Sequence, residues 1–198
     1  MGYSISLMLI YTITPIFLIL SIYLSLKIKI EYRKYQKRLL STSTLSLLHH
    51  DSYVGLAVFS AWYSTWPIII DNNLFFHISL YILGSILVLI GISLYIIYLA
   101  CIKSVPKAIG RDSEDLITDG IFSKSRNPQS LARAIGLIGL GIMGRSYFTL
   151  FLALFWISVN HYNILSEEEL LEIKFGDLYL NYCCLTPRYF QIKKKEKD

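Results

Sequence analysis

Charge is scarce in this chain. Only 17% of its 198 residues are Asp, Glu, Lys or Arg, against 54% hydrophobic, and its mean hydropathy is positive. A soluble domain carries about a quarter charged residues, so the composition excludes that class and points to a single membrane domain. Cysteine is scarcer still, with Cys101, Cys183 and Cys184 alone. Three cysteines, two of them adjacent, make neither a disulfide framework nor a C-x-x-C metal or redox motif. We read them as small apolar residues near a membrane surface, with acylation of the adjacent pair as the weaker alternative. His49, His50 and His77 show no metal-ligand spacing, so no metal is expected. Nucleic-acid motifs are missing as well, which removes the obvious partner for a net charge of +5. The basic residues sit beside apolar segments instead, where they set topology and attract anionic lipid head groups.

What the chain does have is long apolar runs. A hydrocarbon core needs roughly 20 helical residues to span. Tyr3 to Leu26 meets that length, has no basic stretch before it and lacks a cleavage site before Lys27, so we expect a first transmembrane helix, not a signal peptide. Tyr53–Ile70 and Leu74–Ile102 are expected to be the second and third, joined by a polar turn at Asp71-Asn72-Asn73. Ser130–Met143 and Tyr147–Val159 are shorter, and Gly144-Arg145-Ser146 between them favours a helical hairpin. Gly136, Gly139, Gly141 and Gly144 would let such helices approach closely. Lys27 to Leu48 reads as a basic amphipathic extension, with Ile28, Ile30, Tyr32, Tyr35 and Leu39 facing lipid.

Lysine and arginine decide the orientation. The segments Lys27–Ser52 and Lys103–Gln129 and the part after Tyr162 are basic, whereas the opposite side carries Arg145. The positive-inside rule therefore places the N-terminus outside and the C-terminus in the cytoplasm, across an all-α integral membrane bundle of five transmembrane helices. We expect one domain over residues 1–198: N-terminal helices and loops over 1–115, a motif-bearing part over 116–190, and a basic tail over 191–198.

Within 116–190 a series of polar motifs falls at the expected cytoplasmic interface. Leu116 to Phe122 reads Leu-Ile-Thr-Asp-Gly-Ile-Phe, and Gly120 there permits a sharp backbone turn. Arg126-Asn127-Pro128 follows, with Pro128 suited to a first helical turn and Arg126 to gripping a carboxylate, or alternatively to reaching lipid phosphate. Ser166-Glu167-Glu168-Glu169 fits a helix-capping box with Ser166 as N-cap. Phe175-Gly176-Asp177, Tyr179 and Tyr182 come next, and Pro187-Arg188-Tyr189-Phe190 closes the series.

This order of motifs resembles the C-terminal half of the isoprenylcysteine carboxyl methyltransferases and the related phospholipid methyltransferases. The resemblance covers roughly Leu116 to Phe190. It departs from the family's commonest form at Asn127, Ser130 and Ala132, where histidine, tyrosine and glycine are usual, and Arg133 is an addition.

The resemblance implies an integral membrane enzyme that uses S-adenosylmethionine, with the cytoplasmic loop and C-terminal helix forming the cofactor pocket. It implies cofactor binding by Gly120, Arg126, Pro128, Glu167, Glu168, Tyr179 and Tyr182. A glutamate would take the methionine ammonium or the ribose hydroxyls, and tyrosine faces would attract the sulfonium. Arg126, Asn127 and His161 are the catalytic candidates, and Arg133 and Arg188 the substrate-binding ones. The expected reaction is in-line methyl transfer to a membrane lipid or prenylated acceptor, helped by alignment and exclusion of water. A carboxylate acceptor is already ionised and needs no base, and an isoprenylcysteine-type carboxyl is the expected acceptor. An amine, as in phospholipid N-methylation, must first lose a proton to His161 or a glutamate. A nicotinamide-dependent sterol-type reductase and a non-catalytic membrane protein remain the alternatives.

Overall fold

The computed structural model describes residues 2–35, 54–58, 74–102 and 116–190. The expected turn at 71–73, the basic tail 191–198 and most of the expected second helix lie outside the described residues, although 54–58 are helical. The described part is all helical, with no strand: α1 (Gly2–Tyr35), α2 (Leu74–Cys101), a 3-10 turn (Gly120–Ser123), α3 (Pro128–Met143), α4 (Tyr147–Phe175) and α5 (Asp177–Leu185). Two helices, over Phe75–Cys101 and Tyr147–Phe175, are long and apolar enough to cross a membrane. Most of the large apolar side chains of α2 are uncovered, as lipid contact requires.

α2 and α3 pack backbone to backbone, and small residues make this possible. A Cβ added at Gly84 would lie 2.6 Å from Gly139 O, one at Gly91 2.7 Å from Ala132 O, and one at Gly139 2.8 Å from Val88 N. Gly91 stands opposite Ala132 and keeps the approach close. Close contact of this kind holds membrane helices together where lipid leaves no hydrophobic drive between them.

The turn after α3 follows from its residues. Gly144 N–H donates to Leu140 O, Arg145 takes a left-handed φ of 48°, and Ser146 Oγ accepts from Thr149 N–H at 3.1 Å to cap α4. The Arg145 guanidinium reaches His77 on α2. Together these fold α3 and α4 into a hairpin, with Leu137 and Leu152 in a core shared with Ala57, Ala153 and Trp156.

Two expectations are corrected here. No new helix starts at Ser166, because α4 runs unbroken to Phe175. Residues 160–165 contain neither glycine nor proline to stop it, and Ser166 Oγ donates back to Tyr162 O instead of capping. Ile28 and Tyr32 do not face lipid: they are 1% and 4% exposed. α1 packs on α4, with Tyr32 beside Ser166 and Leu170, so residues 27–35 of the basic extension are one side of a helix pair, and 36–48 lie outside the described residues. Ile30 is exposed as expected.

Candidate active site

Three acids in a row on a continuous helix point in three directions, since successive residues turn by about 100°. Glu169 faces α1 and receives both Arg33 Nε and Arg33 Nη2 at 3.1 Å, on the surface. Glu168 points inward and is gripped from two sides. Arg126 Nη1 lies 3.2 Å from Glu168 Oε1, and Arg188 binds it as a fork, Nε to Oε1 at 3.0 Å and Nη2 to Oε2 at 2.7 Å.

These partners come from segments far apart in sequence, held together by backbone bonds. Arg126 N–H donates to Pro187 O at 2.9 Å. The Asn127 side chain does not cap α3, and its Nδ2 donates to Arg188 O at 3.3 Å. Ser125 Oγ donates to the same carbonyl at 3.4 Å and accepts from Asn127 N–H. Pro128 occupies the first turn of α3, where its missing N–H costs nothing. Thus 125–127 and 187–188 form a clasp that aims both arginines at Glu168.

α5 closes the cluster from below. It begins after Gly176, whose φ of 51° and ψ of −127° suit only glycine. Tyr179, Tyr182 and Cys183 share the inner face of α5: Arg126 Nη1 donates to Tyr179 Oη at 3.3 Å and to Cys183 Sγ at 2.6 Å. Tyr182 Oη donates to Phe122 O at 2.7 Å, tying α5 to the turn that starts at Gly120. Gly120 has a φ of 61°, which favours glycine, and its place against the end of α2 would bring a Cβ within 2.9 Å of Cys101 Sγ.

Electrostatically the cluster is lopsided. Among the described residues two guanidiniums face one carboxylate, with the Arg126 and Glu168 side chains only 12% and 14% exposed, and Arg126 Nε is buried without a partner. The hydrogen bonds from Arg188 to Glu168 hold its guanidinium even further above its usual range. Burial, reinforced by the Glu168 charge, pushes the Tyr179 phenol up, and burial pushes Tyr182 up to about 12. Burial raises Tyr189 as well. All three phenols therefore stay neutral at ordinary pH, as aromatic walls with polar tips.

The remaining candidates lie around this centre. His161 precedes Glu168 by two helical turns, and its Nδ1 is 2.7 Å from Tyr189 Oη. Arg133 is placed apart from the Glu168 cluster: its Nη2 donates to Tyr95 Oη at 3.0 Å and its guanidinium lies over the Tyr95 ring. Sequence reasoning overlooked Cys183 as a member, although it follows Tyr179 by one helical turn. It also gave no role to Tyr189, although that residue lies in the closing motif, and it missed Tyr95, for which no local signal existed.

No curated protein and no solved structure matches the chain. A model of one family does match, described as phospholipid methyltransferase, over residues 79–177. That stretch runs from α2 to the start of α5 and takes in Arg126, Glu167 and Glu168, while Tyr179, Tyr182 and Arg188 lie just beyond it. Since the match extends over half of the chain, this protein belongs to the phospholipid methyltransferase family.

Proposed function

We propose that the protein transfers a methyl group from S-adenosylmethionine to a lipidic acceptor at the cytoplasmic face of a membrane. The observation that carries this is the Arg126–Glu168–Arg188 cluster, which among the described residues sets two guanidiniums against one carboxylate and leaves Arg126 Nε buried and unpartnered. A buried unpaired cation is costly, and an anion removes the cost. The methionine carboxylate of the cofactor is such an anion. Arg126 and Arg188 would hold it, and the faces of Tyr179 and Tyr182 would neighbour the cationic part. Glu168 then serves chiefly to orient the two arginines, and Glu167 is the carboxylate we assign to the ammonium or the ribose. When bound, the cofactor supplies an electrophilic methyl group on a sulfonium sulfur.

The rest of the work falls to this chain. The clasp of Ser125 and Asn127 on Arg188 O fixes the entrance of α3, and Pro128 keeps that entrance free of an unsatisfied donor. We assign α1, the 53–70 segment, α2 and the α3–α4 hairpin as five spans, with the N-terminus outside and anionic head groups around the basic cytoplasmic segments. This leaves the acceptor to enter sideways from lipid. His161 and Tyr189 are in hydrogen-bond contact, Nδ1 to Oη at 2.7 Å. For an amine acceptor we assign His161 as the base that takes the proton the amine must lose, whereas a carboxylate acceptor needs none.

Titration calorimetry of S-adenosylhomocysteine into detergent-purified protein tests the proposal, beside Glu168→Ala and Tyr179→Leu. Micromolar binding by the wild type, weakened in both variants, is the expected result. A folded, monodisperse wild type that binds nothing would overturn it.

A further inference from the structure

Charge gathers at the C-terminal end of α4, and α5 lies beside it. α4 holds 29 residues, about 43 Å of helix against a hydrocarbon core of about 30 Å. The excess falls where Glu167, Glu168, Glu169, Glu172 and Lys174 crowd into eight residues. Charge at this density is too costly for hydrocarbon, so the stretch stands at head-group depth. α5 returns along it. Arg126, which pairs with Glu168, also reaches Tyr179 and Cys183, and Arg188 just after α5 binds Glu168 itself. α5 and residues 186–190 are therefore held at the level of Glu168, beside the membrane and not far out in water.

At that depth three large apolar side chains are uncovered: Leu178, Leu185 and Phe190 are 69%, 82% and 70% exposed. Leu178 and Leu185 stand seven residues apart, about two helical turns, so they form one stripe along α5. The stripe is separate from the inner face with Tyr179, Tyr182 and Cys183, and it borders a polar side where Asp177 and Asn181 are exposed.

We propose that Leu178, Leu185 and Phe190 form a membrane-docking surface that seats α5 between the lipid head groups and the acyl chains. Three observations name the bilayer as the occupant. The pairing with Glu168 fixes the depth of the stripe within reach of lipid. Exposed cations stand at the same end of the molecule, Lys174 on α4 and Lys34 on α1, and they complement anionic head groups. An apolar stripe bordered by polar residues is also how an interfacial helix meets lipid. Docking has a consequence for the site, which rests on the methyltransferase reading. Lipid under the stripe holds Tyr179 and Tyr182 against the Arg126 side, so the cofactor pocket is fully assembled only on a membrane.

The test uses full-length protein in nanodiscs of phosphatidylcholine brominated near the head of its acyl chains, beside unbrominated discs. In a Cys101→Ser, Cys183→Ser, Cys184→Ser background a bimane label is placed at Leu178→Cys or Leu185→Cys. For comparison Cys184 alone is kept and labelled, since it points about 100° away from Leu185. Brominated lipid should quench the labels at 178 and 185 at least about twofold more than the one on Cys184, because one flank alone dips into the acyl boundary. In protein with its native cysteines, Leu178→Gln with Leu185→Gln should weaken S-adenosylhomocysteine binding in nanodiscs about tenfold. Leu178→Trp with Leu185→Trp should keep it, because tryptophan suits the interface.

Labels at 178 and 185 that escape quenching would overturn the docking surface. Shielding of those labels that grows only with protein concentration would replace the bilayer by a second copy of the chain. Quenched labels with unchanged S-adenosylhomocysteine affinity in the glutamine variant would remove the link between docking and pocket. A wild type that binds no S-adenosylhomocysteine defeats the methyltransferase reading alone, because the quenching still reports where α5 sits.

Discussion

Cys183 Sγ lies 2.6 Å from Arg126 Nη1, nearer than the Glu168 carboxylate at 3.2 Å. A thiol therefore lines the cluster that we assign to the cofactor, and any adduct on it would crowd the guanidinium. In a Cys101→Ser, Cys184→Ser background, S-adenosylhomocysteine should slow maleimide labelling of Cys183, and the labelled protein should lose cofactor binding. Cys183→Ser, close in size, should keep it. Labelling at the same rate with and without the ligand would contradict this placement. Mass spectrometry of the labelled peptide gives the answer.

The neighbouring glutamates should behave differently when neutralised. Glu168→Gln leaves Arg126 and Arg188 facing each other with little water, and breaking a buried pair costs roughly 3–5 kcal/mol. Arg188 is 36% exposed, which places the loss at the lower end. Glu169→Gln breaks an ion pair on the surface and should leave the melting temperature unchanged. Thermal unfolding followed by intrinsic fluorescence would compare the two. Similar melting temperatures would argue against the burial described for Glu168.

Glycines on the α2–α3 seam are not equivalent. Gly91→Ala puts a methyl 2.7 Å from Ala132 O and 2.8 Å from Gly136 N, both backbone atoms that cannot yield. Such overpacking costs about 1–3 kcal/mol. Gly136→Ala meets nothing within 4 Å and should gain up to about 1 kcal/mol of helix propensity. The opposite signs should appear as a lower and a higher melting temperature.

Alkali should loosen α5 before it unfolds the rest. The Tyr182 phenol titrates near pH 12 in the folded protein, against about 10 when exposed. A group that holds its proton more tightly when folded contributes stability that is fully present below pH 10 and lost as pH rises through 12. The melting temperature should fall across that window in the wild type and fall less in Tyr182→Phe. That variant starts lower, because the bond to Phe122 O is gone.

Much of this architecture could be read from local pattern. α2 follows from an uninterrupted apolar run, and the hairpin from Gly144-Arg145-Ser146, which holds the one left-handed non-glycine residue among those described. Gly120 and Gly176 were marked by their motifs, and both have positive φ. Errors came where one local rule had competing explanations. Ser166 with Glu169 has capping-box spacing, yet nothing upstream breaks the helix, so the same letters continue α4. Ile28 and Tyr32 looked suited to lipid because apolar side chains suit a helix partner equally well. The clasp was out of reach, since Arg126 and Arg188 are 62 residues apart and only tertiary closure brings them to one carboxylate. Asn127 was read as a replaced catalytic group, and its amide instead fastens that closure.

Glu168 and Glu169 make α4 an axle with spokes to two different parts of the molecule. One spoke reaches α1 through Arg33 and the other the arginine cluster. A rotation of α4 by a single residue would detach both at once. The angular setting of that helix therefore behaves as one all-or-none variable. A disturbance at the surface pair would reach the buried carboxylate one residue away without any chain of intermediates.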